Sequence, residues 1–397
     1  MKASSRKYNI AVIVGSGIKL TPEETVPIEA ILTNFIKVLK PIANEIFTIV
    51  GDFAYDLDDK THLIRLKTRI GKRWLLVSFI IFLLTQLQVC YNLIKVSKNI
   101  DIVIFHTGTR PFILPILISR LLGKKTVSCA TGLVSKAAQT KYKRTALGLG
   151  RYFTPPVYQF IENVNFLLAN QIAVESPSLI NLMHSERYQG KTVINGSMYV
   201  DTDLFGLKKE VQNRTAIIGY VGRIVENKGI INLVESIPLL LKELEDIEIW
   251  IIGGGPLFNE INKKVRLNIL SHKVRLLGWI PHNELPTYLN EFKILVLPSY
   301  SEGLPGVVQE AMACGTIVLA SPVGGIPDLI EEGVTGFILK SNSPESIANS
   351  CVRILNHPNL EIIAQNARNF IEREYKYEVV VEKCRYAFEQ LMGNNQN

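Results

Sequence analysis

The chain runs to 397 residues, a length for two or three domains, and with 47% apolar and 20% charged residues it can fill two cores without the repeated long spans of a polytopic membrane protein. Its net charge of +8 is lopsided: residues 1–205 hold 25 Lys and Arg against 14 Asp and Glu, residues 206–397 hold 19 against 22, and within 60–161 there are 17 basic residues and one acid, Asp101. No recognition helix, zinc-ligand set or RNA-binding signature accompanies that excess, so nucleic acid is not the expected partner; the same region is the most apolar, and an anionic membrane surface fits it better.

Tyr8 to Val14 is an apolar strand, followed by Gly15-Ser16-Gly17, a helix over Ile28 to Ala43 and a strand over Ile46 to Val50, the opening of a βαβ layer with a parallel sheet. Gly15 and Gly17 read as a tight turn ahead of a phosphate site. Lys60 to Arg73 carries six basic residues, and Trp74 to Ile94 is a stretch of 21 residues without a charge. That length reaches across a bilayer. Ser78, Thr85, Gln86, Gln88 and Asn92 interrupt it, however, and a buried strand, Asp101 to Phe105, resumes directly afterwards. The favoured reading is a sheet-packing helix with one face dipping into the membrane interface; a plain core helix and a true span are the alternatives. His106-Thr107-Gly108 ends that strand, a helix follows over Pro111 to Leu122, and the strand Lys125 to Cys129 leads into Ala130-Thr131-Gly132. The basic loop Lys136 to Arg151, running into Tyr152-Phe153 and Pro155-Pro156, either grips an acceptor phosphate or is simply solvated. Gln171 to Val174 and Lys191 to Ile194 are strands, and the polar run Lys208 to Arg214, where the charge changes sign, reads as an interdomain linker. The first seven residues are too polar to open a leader peptide, so export is not expected. Five dispersed cysteines without a C-x-x-C argue against disulfides and zinc and for a reducing, cytoplasmic compartment.

The second half restarts the alternation. Strands are expected over Ala216 to Val221, Glu248 to Ile252, Val274 to Leu277, Lys293 to Leu297, Ile317 to Ala320 and Gly336 to Leu339, with helices over Ile230 to Leu244, Leu257 to Asn268 and Pro344 to Leu355. The fold class is therefore α/β, two doubly wound parallel-sheet domains in tandem, and ligands of such sheets bind beyond the C-terminal strand ends. The loops there carry the chemistry. Arg223 and Lys228 are two cations at a sheet mouth that would balance a diphosphate, Arg bidentately and Lys as a point charge. Gly253-Gly254-Gly255 lets a backbone or a ligand come close. After Ile294 to Leu297, a Gly/Pro-rich loop carries Glu302, and a helix carries Glu310; the helix start offers unpaired amides and the positive end of its dipole, an anion site at Gly303 to Val307.

Gly222-Arg223 with Lys228-Gly229, Gly253-Gly254-Gly255-Pro256, Gly278-Trp279-Ile280-Pro281, Glu302-Gly303-Leu304-Pro305 with Glu310, Ala311-Met312-Ala313-Cys314-Gly315 and Val323-Gly324-Gly325-Ile326-Pro327-Asp328 together resemble the family 4 retaining glycosyltransferases of GT-B fold (glycosyl transferases group 1). The likeness runs in order from about Asn195 to Gly336 and is a matter of layout over residues 1–190. It implies two Rossmann-like domains facing across a cleft: an acceptor-binding, membrane-facing domain over 1–205, a nucleotide-sugar domain over 206–375, and a terminal helix over 376–397 crossing back to the first. By position, Arg223 and Lys228 would hold the diphosphate. Glu302 and the backbone of Gly303, Leu304, Pro305 and Gly306 would hold the sugar and its phosphate, Glu310 the ribose hydroxyls, and the loop around Ile280 would border the base, with Gly222 and Gly254 lining the nucleotide. Retention in this family is explained by front-face substitution, in which the departing phosphate oxygen helps deprotonate the acceptor; no cofactor and no metal are expected, the two cations serving the leaving diphosphate. Two departures fall on the acceptor side. Thr25-Val26-Pro27 occupies the place of a glycine pair, and Thr131 stands where the family has an active-site His, so that His106 either substitutes for it or only caps a strand. The expected activity is hexosyl or N-acetylhexosaminyl transfer from a UDP- or GDP-linked donor to a lipid-linked or membrane-presented glycan, by an enzyme peripheral to the cytoplasmic membrane face. The alternatives are a nucleotide-sugar epimerase of the same fold and a non-catalytic donor-binding subunit.

Overall fold

Four-residue runs such as Ile-Val-Ile-Phe at 102–105 and Ile-Leu-Val-Leu at 294–297 have no polar face, so both sides must be covered, which is the condition for parallel strands between helix layers. The computed structural model describes residues 6–14, 32–50, 60–66, 75–106, 112–130, 135, 150–183, 185–195, 198–267 and 273–393. Gly15-Ser16-Gly17, Thr25-Val26-Pro27, Thr131 and nearly all of the basic loop 136–151 lie outside them. The chain divides into two compact units, Met1–Met198 with Val380–Asn397, and Tyr199–Val379.

In the first unit, β1 (Tyr8–Ile13), β2 (Ala43–Val50), β3 (Thr61–Arg65), β4 (Ile102–Phe105), β5 (Lys125–Ala130), β6 (Gln171–Val174) and β7 (Thr192–Ile194) form one parallel sheet in the order β3-β2-β1-β4-β5-β6-β7. Its helices are α1 (residues 32–39), α2 (Leu75–Val96), α3 (Ile113–Leu121), α4 (Gly150–Leu168) and α5 (Pro177–Leu182). The first helix stops at 39 rather than at Ala43 because Pro41 follows; the residue before a proline is disfavoured in the helical region and the ring cannot continue the hydrogen-bond ladder. The strand β2 accordingly starts three residues earlier than the sequence reading placed it. The expected loop Lys136 to Arg151 overlaps α4 at Gly150 and Arg151, and Tyr152-Phe153 and Pro155-Pro156, which follow it, belong to the same helix.

In the second unit, β8 (Ile217–Val221), β9 (Glu248–Ile252), β10 (Val274–Gly278), β11 (Ile294–Leu297), β12 (Ile317–Ala320) and β13 (Phe337–Ile338) form a parallel sheet in the order β10-β9-β8-β11-β12-β13. Around it lie α6 (Ile230–Glu243), α7 (Phe258–Leu267), α8 (Leu285–Glu291), α9 (Gly306–Ala313), α10 (Ile326–Leu329), α11 (Pro344–Leu355) and α12 (Leu360–Glu374). A last helix, α13 (Tyr377–Gly393), belongs to the first unit from Val380 onward: it buries Cys384 and Phe388, with Phe388 at 6.4 Å from the Tyr8 ring and Gln171 Nε2 donating to the Ala387 carbonyl at 3.0 Å. The strand order reverses between β8 and β11, which leaves a crevice at their C-terminal ends, the place where doubly wound sheets bind ligands.

The polar run 208–214 is no free linker. Arg214, 3% exposed, donates through Nε to the Lys209 carbonyl at 2.9 Å, through Nη1 to Leu289 O at 3.1 Å, Phe292 O at 2.8 Å and Thr316 Oγ1 at 3.0 Å, and through Nη2 to Cys314 O at 2.6 Å. One guanidinium thus closes the C-terminal ends of α8 and α9, whose last carbonyls have no partner within their own helices. Burial pulls its pKa down to about 10, which leaves it charged at neutral pH.

Candidate functional site

The loops after β8, β9 and β10 are laced to one another through backbone. The Gly222 amide donates to Ile252 O at 3.0 Å, Ile224 to Gly254 O at 2.8 Å, and Gly253 to Gly278 O at 2.7 Å. Gly253 has φ of 136°, and a Cβ there would lie 1.9 Å from the Gly222 carbonyl oxygen, so glycine is required for chain-on-chain packing. Around Gly254, by contrast, a Cβ would meet nothing within 4 Å, which leaves that side open to a ligand. Tyr220, fully buried, donates its hydroxyl to the Arg223 carbonyl at 2.8 Å and fixes the strand exit; the Arg223 side chain is exposed.

Lys228 ends a single 3-10 turn, Glu226–Lys228, that leads into α6. Its Nζ lies 2.6 and 2.7 Å from the two carboxylate oxygens of Glu302, and the two side chains are 17% and 7% exposed. Two residues 74 apart in sequence are therefore one charge pair at the β8/β11 switch point. The loop that carries Glu302 is pinned from three sides. Tyr300 donates its amide to Asn227 O at 2.9 Å, Gly325 donates to Gly303 O at 2.7 Å, and Asn342 Nδ2 donates to Pro298 O at 3.0 Å and Ser299 O at 3.2 Å. Leu304 and Pro305 are buried beneath it. Pro305 stands at the N-cap of α9 without a side-chain acceptor, so Gly306 opens the helix with its first amides uncapped by any side chain.

Glu310 lies one turn into α9, and its Oε1 is 2.7 Å from His282 Nε2. His282 also packs at 5.0 Å on the Phe205 ring. The hydrogen bond to Glu310 raises the His282 pKa, more than burial lowers it, and the Glu310 and Asp201 charges add in the same upward direction. His282 escaped the sequence reading although it directly follows Gly278-Trp279-Ile280-Pro281. Ile280 is half-buried against the core of this unit, and Trp279 is 61% exposed beside it.

Asp201-Thr202-Asp203 has the Asp-x-Asp spacing of a metal-binding pair, but Asp201 Oδ1 accepts the amides of Asp203 at 3.2 Å and Leu204 at 3.1 Å, which is a turn. Among the described residues no group of three or more His, Cys, Asp and Glu is arranged to hold a metal. His106 belongs to the first unit, at the end of β4. It is 3% exposed, its ring lies 4.6 Å from Phe35, its Nε2 has no partner, and burial lowers its pKa to about 4, so it is neutral at physiological pH.

Residues 207–376 match the family model for glycosyl transferases group 1. The second unit carries a glycosyl transferases group 1 domain. The capsular polysaccharide biosynthesis glycosyltransferase CapM of Staphylococcus aureus is 24% identical over 70% of this chain and 66% of its own length. A UDP-Gal:alpha-D-GlcNAc-diphosphoundecaprenol alpha-1,3-galactosyltransferase of Escherichia coli is 26% identical over 48% of this chain and 49% of its own. The chain spans about half the length of most of the curated relatives it matches. Among solved structures, Anabaena HepE in complex with UDP superimposes with a TM-score of 0.71 at 16% identity, covering 97% of this chain and 100% of that one. At that identity the likeness speaks for fold, and the fold is that of GT-B proteins, two Rossmann-like parallel-sheet domains of seven and six strands.

Proposed function

We propose that this chain is a retaining glycosyltransferase that moves a hexosyl or N-acetylhexosaminyl group from a UDP- or GDP-linked donor to a lipid-linked or membrane-presented glycan acceptor, on the cytoplasmic side of the membrane. The observation that carries the proposal is the Lys228–Glu302 pair at the β8/β11 switch point, on a loop that feeds the uncapped start of α9. In this reading Arg223 and Lys228 meet the diphosphate. When the anion arrives, the Lys228 ammonium shares itself between phosphate and Glu302, and the Glu302 carboxylate turns toward sugar hydroxyls. The amides from Gly303 to Gly306 and the dipole of α9 add to the same field, which is worth most where the leaving diphosphate gains charge. Glu310 takes the ribose hydroxyls, Gly222 and Gly254 line the nucleotide, and Ile280 borders the base. The acceptor hydroxyl attacks the anomeric carbon on the face the phosphate leaves, its proton passes to the departing phosphate oxygen, and no protein nucleophile is needed. No metal takes part, because fixed cations serve the diphosphate. On the acceptor side, neutral His106 and Thr131 are the candidate contacts.

The comparisons support this reading in kind: HepE has been solved with UDP and with UDP-glucose, and the Escherichia coli relative is named for transfer from UDP-Gal to alpha-D-GlcNAc-diphosphoundecaprenol. The test is a thermal-shift screen of UDP- and GDP-sugars, a native-state ligand raising the melting temperature, followed by acceptor-dependent nucleotide release. Near-wild-type turnover in Lys228→Ala would refute the assignment. A donor sugar altered without any acceptor would mark an epimerase instead.

A further inference from the structure

The helices on one side of the first unit are apolar on the outside as well as the inside: α2 buries Val89, Cys90 and Leu93, α3 buries Ile116 and α4 buries Phe166, yet their outer faces are apolar too. In α2, Thr85 and Gln86 are buried, whereas Ile80, Leu83, Leu84, Leu87, Tyr91 and Ile94 recur at helical spacing on one stripe, and each is between 43% and 66% exposed. In α4, Glu162 and Asn165 are buried, Glu162 accepting the Ser135 amide at 3.2 Å, while Val157, Phe160 and Leu167 are exposed. The helix α3 packs beside both and adds Leu114, Leu117 and Leu121, the last 82% exposed. A helix layer that faces water shows its polar side. Here 12 of the 17 exposed large apolar side chains among the described residues fall on three adjoining helices, a concentration that marks an interaction surface rather than scattered surface residues.

Charge decides what covers it. Residues 60–168, which span these helices, hold 17 basic residues and two acids, Asp101 and the buried Glu162. Lys95, Lys98 and Arg120 are exposed at the C-terminal ends of α2 and α3. A second copy bound through this face in a two-fold contact would set that positive field against itself. An anionic lipid surface complements it, and partly inserted apolar side chains with cations at headgroup level are the pattern of helices lying in the interface plane. Tyr91, with an apolar ring and a polar tip, suits the same depth. Val89 and Leu93 hold the inner face of α2 in the core of the first unit, so α2 is placed in the plane of the surface with its outer stripe toward lipid.

We infer that the outer face of α2, α3 and α4 is a monotopic docking surface for an anionic bilayer. The inference is independent of the donor-site chemistry, and its test needs no turnover. The purified full chain is floated with vesicles of phosphatidylcholine alone and of phosphatidylcholine with phosphatidylglycerol, at low and high salt. Three variants accompany it: Leu87→Glu, Leu121→Glu, and Lys95→Glu with Lys98→Glu. All these side chains are exposed, so melting curves should stay at the wild-type position, and sedimentation in the absence of lipid gives the oligomeric state. The expected result is binding to phosphatidylglycerol vesicles that weakens in high salt. Each Leu→Glu change should cut the bound-to-free ratio at least about tenfold, and the double Lys→Glu variant should lose the salt-sensitive part. Wild-type protein that stays unbound at low salt, or Leu→Glu variants that bind as well as wild type, would overturn the inference. So would a lipid-free dimer that Leu121→Glu dissociates, since the face would then belong to a second copy.

Discussion

The Lys228–Glu302 pair can be separated into its structural and its functional parts by a double-mutant cycle. Lys228→Ala leaves the Glu302 carboxylate, 7% exposed, without the ammonium now 2.6 and 2.7 Å from its oxygens. Removing one partner of a fully buried pair costs about 3–5 kcal/mol. Lys228 keeps some contact with water, so the expectation here is somewhat smaller, roughly 2–4 kcal/mol, or a fall of roughly 4–16 °C in the melting temperature of a unit of this size. Glu302→Gln in the same chain removes the stranded charge and should return most of that loss, a coupling of at least about 1.5 kcal/mol. Nucleotide binding should not return, because the cation is still missing. Trp250 and Trp279 both lie in the second unit, so in a Trp74→Phe background the fluorescence reports that unit alone while UDP and GDP are titrated. A Lys228→Ala protein that melts with wild type would show that the pair does not hold the loop. Restored nucleotide binding in the double variant would show that Lys228 serves Glu302 and not a diphosphate.

Four further outcomes follow from the geometry. Arg214→Ala strips partners from four carbonyls and a hydroxyl and should cost at least about 4 kcal/mol in urea unfolding of the second unit, with Arg214→Lys recovering only part because an ammonium cannot span the same fork. His282, whose pKa is raised in the folded chain, contributes stability that is whole below its unfolded value of about 6.5 and fades as pH rises through the folded value. The melting temperature of wild type should therefore decline relative to His282→Gln from about pH 6.5 upward, and parallel curves would refute the coupling to Glu310. Gly324→Ala puts a Cβ 2.3 Å from Glu302 O and 2.5 Å from Gly303 O at a φ of 63°, so the loop must shift; UDP affinity should drop at least about tenfold, and an unchanged titration would argue that the loop is not at the nucleotide. Exhaustive EDTA treatment should leave transfer unaltered, and restoration by Mg²⁺ or Mn²⁺ of an activity lost to EDTA would reject cation-only assistance.

What was legible in the sequence was whatever rests on period and punctuation. Ile317–Ala320, Glu248–Ile252 and Pro344–Leu355 fall at the residues expected, because apolar runs bounded by glycine, proline or a serine cap leave little choice. The strand β3 was hidden because Thr61-His62-Leu63-Ile64-Arg65 lies at a sheet edge, where only Thr61 is buried, inside a stretch that reads as a basic run. No helix is expected over α4, because Pro155-Pro156 breaks its periodicity. The residues of the candidate site can be named from the sequence, but their contacts with one another cannot. Spacing along the chain cannot tell that Lys228 meets Glu302, or that Glu310 meets His282 from the β10 loop, because those pairings are made by strand order. Arg214 was misplaced for a related reason: a basic residue in a polar run looks solvated unless the helix ends that converge on it are known.

That arginine also sets where the second unit can be separated from the rest of the chain. The family match begins at residue 207, seven positions ahead of Arg214, and the second unit begins at Tyr199. A module inherited or recombined between genes must therefore bring its lead-in peptide with it. A junction placed at the start of β8, the obvious seam by eye, would sever the group that ties off two helices, and lineages that exchanged the domain at that point would have inherited a piece with frayed ends.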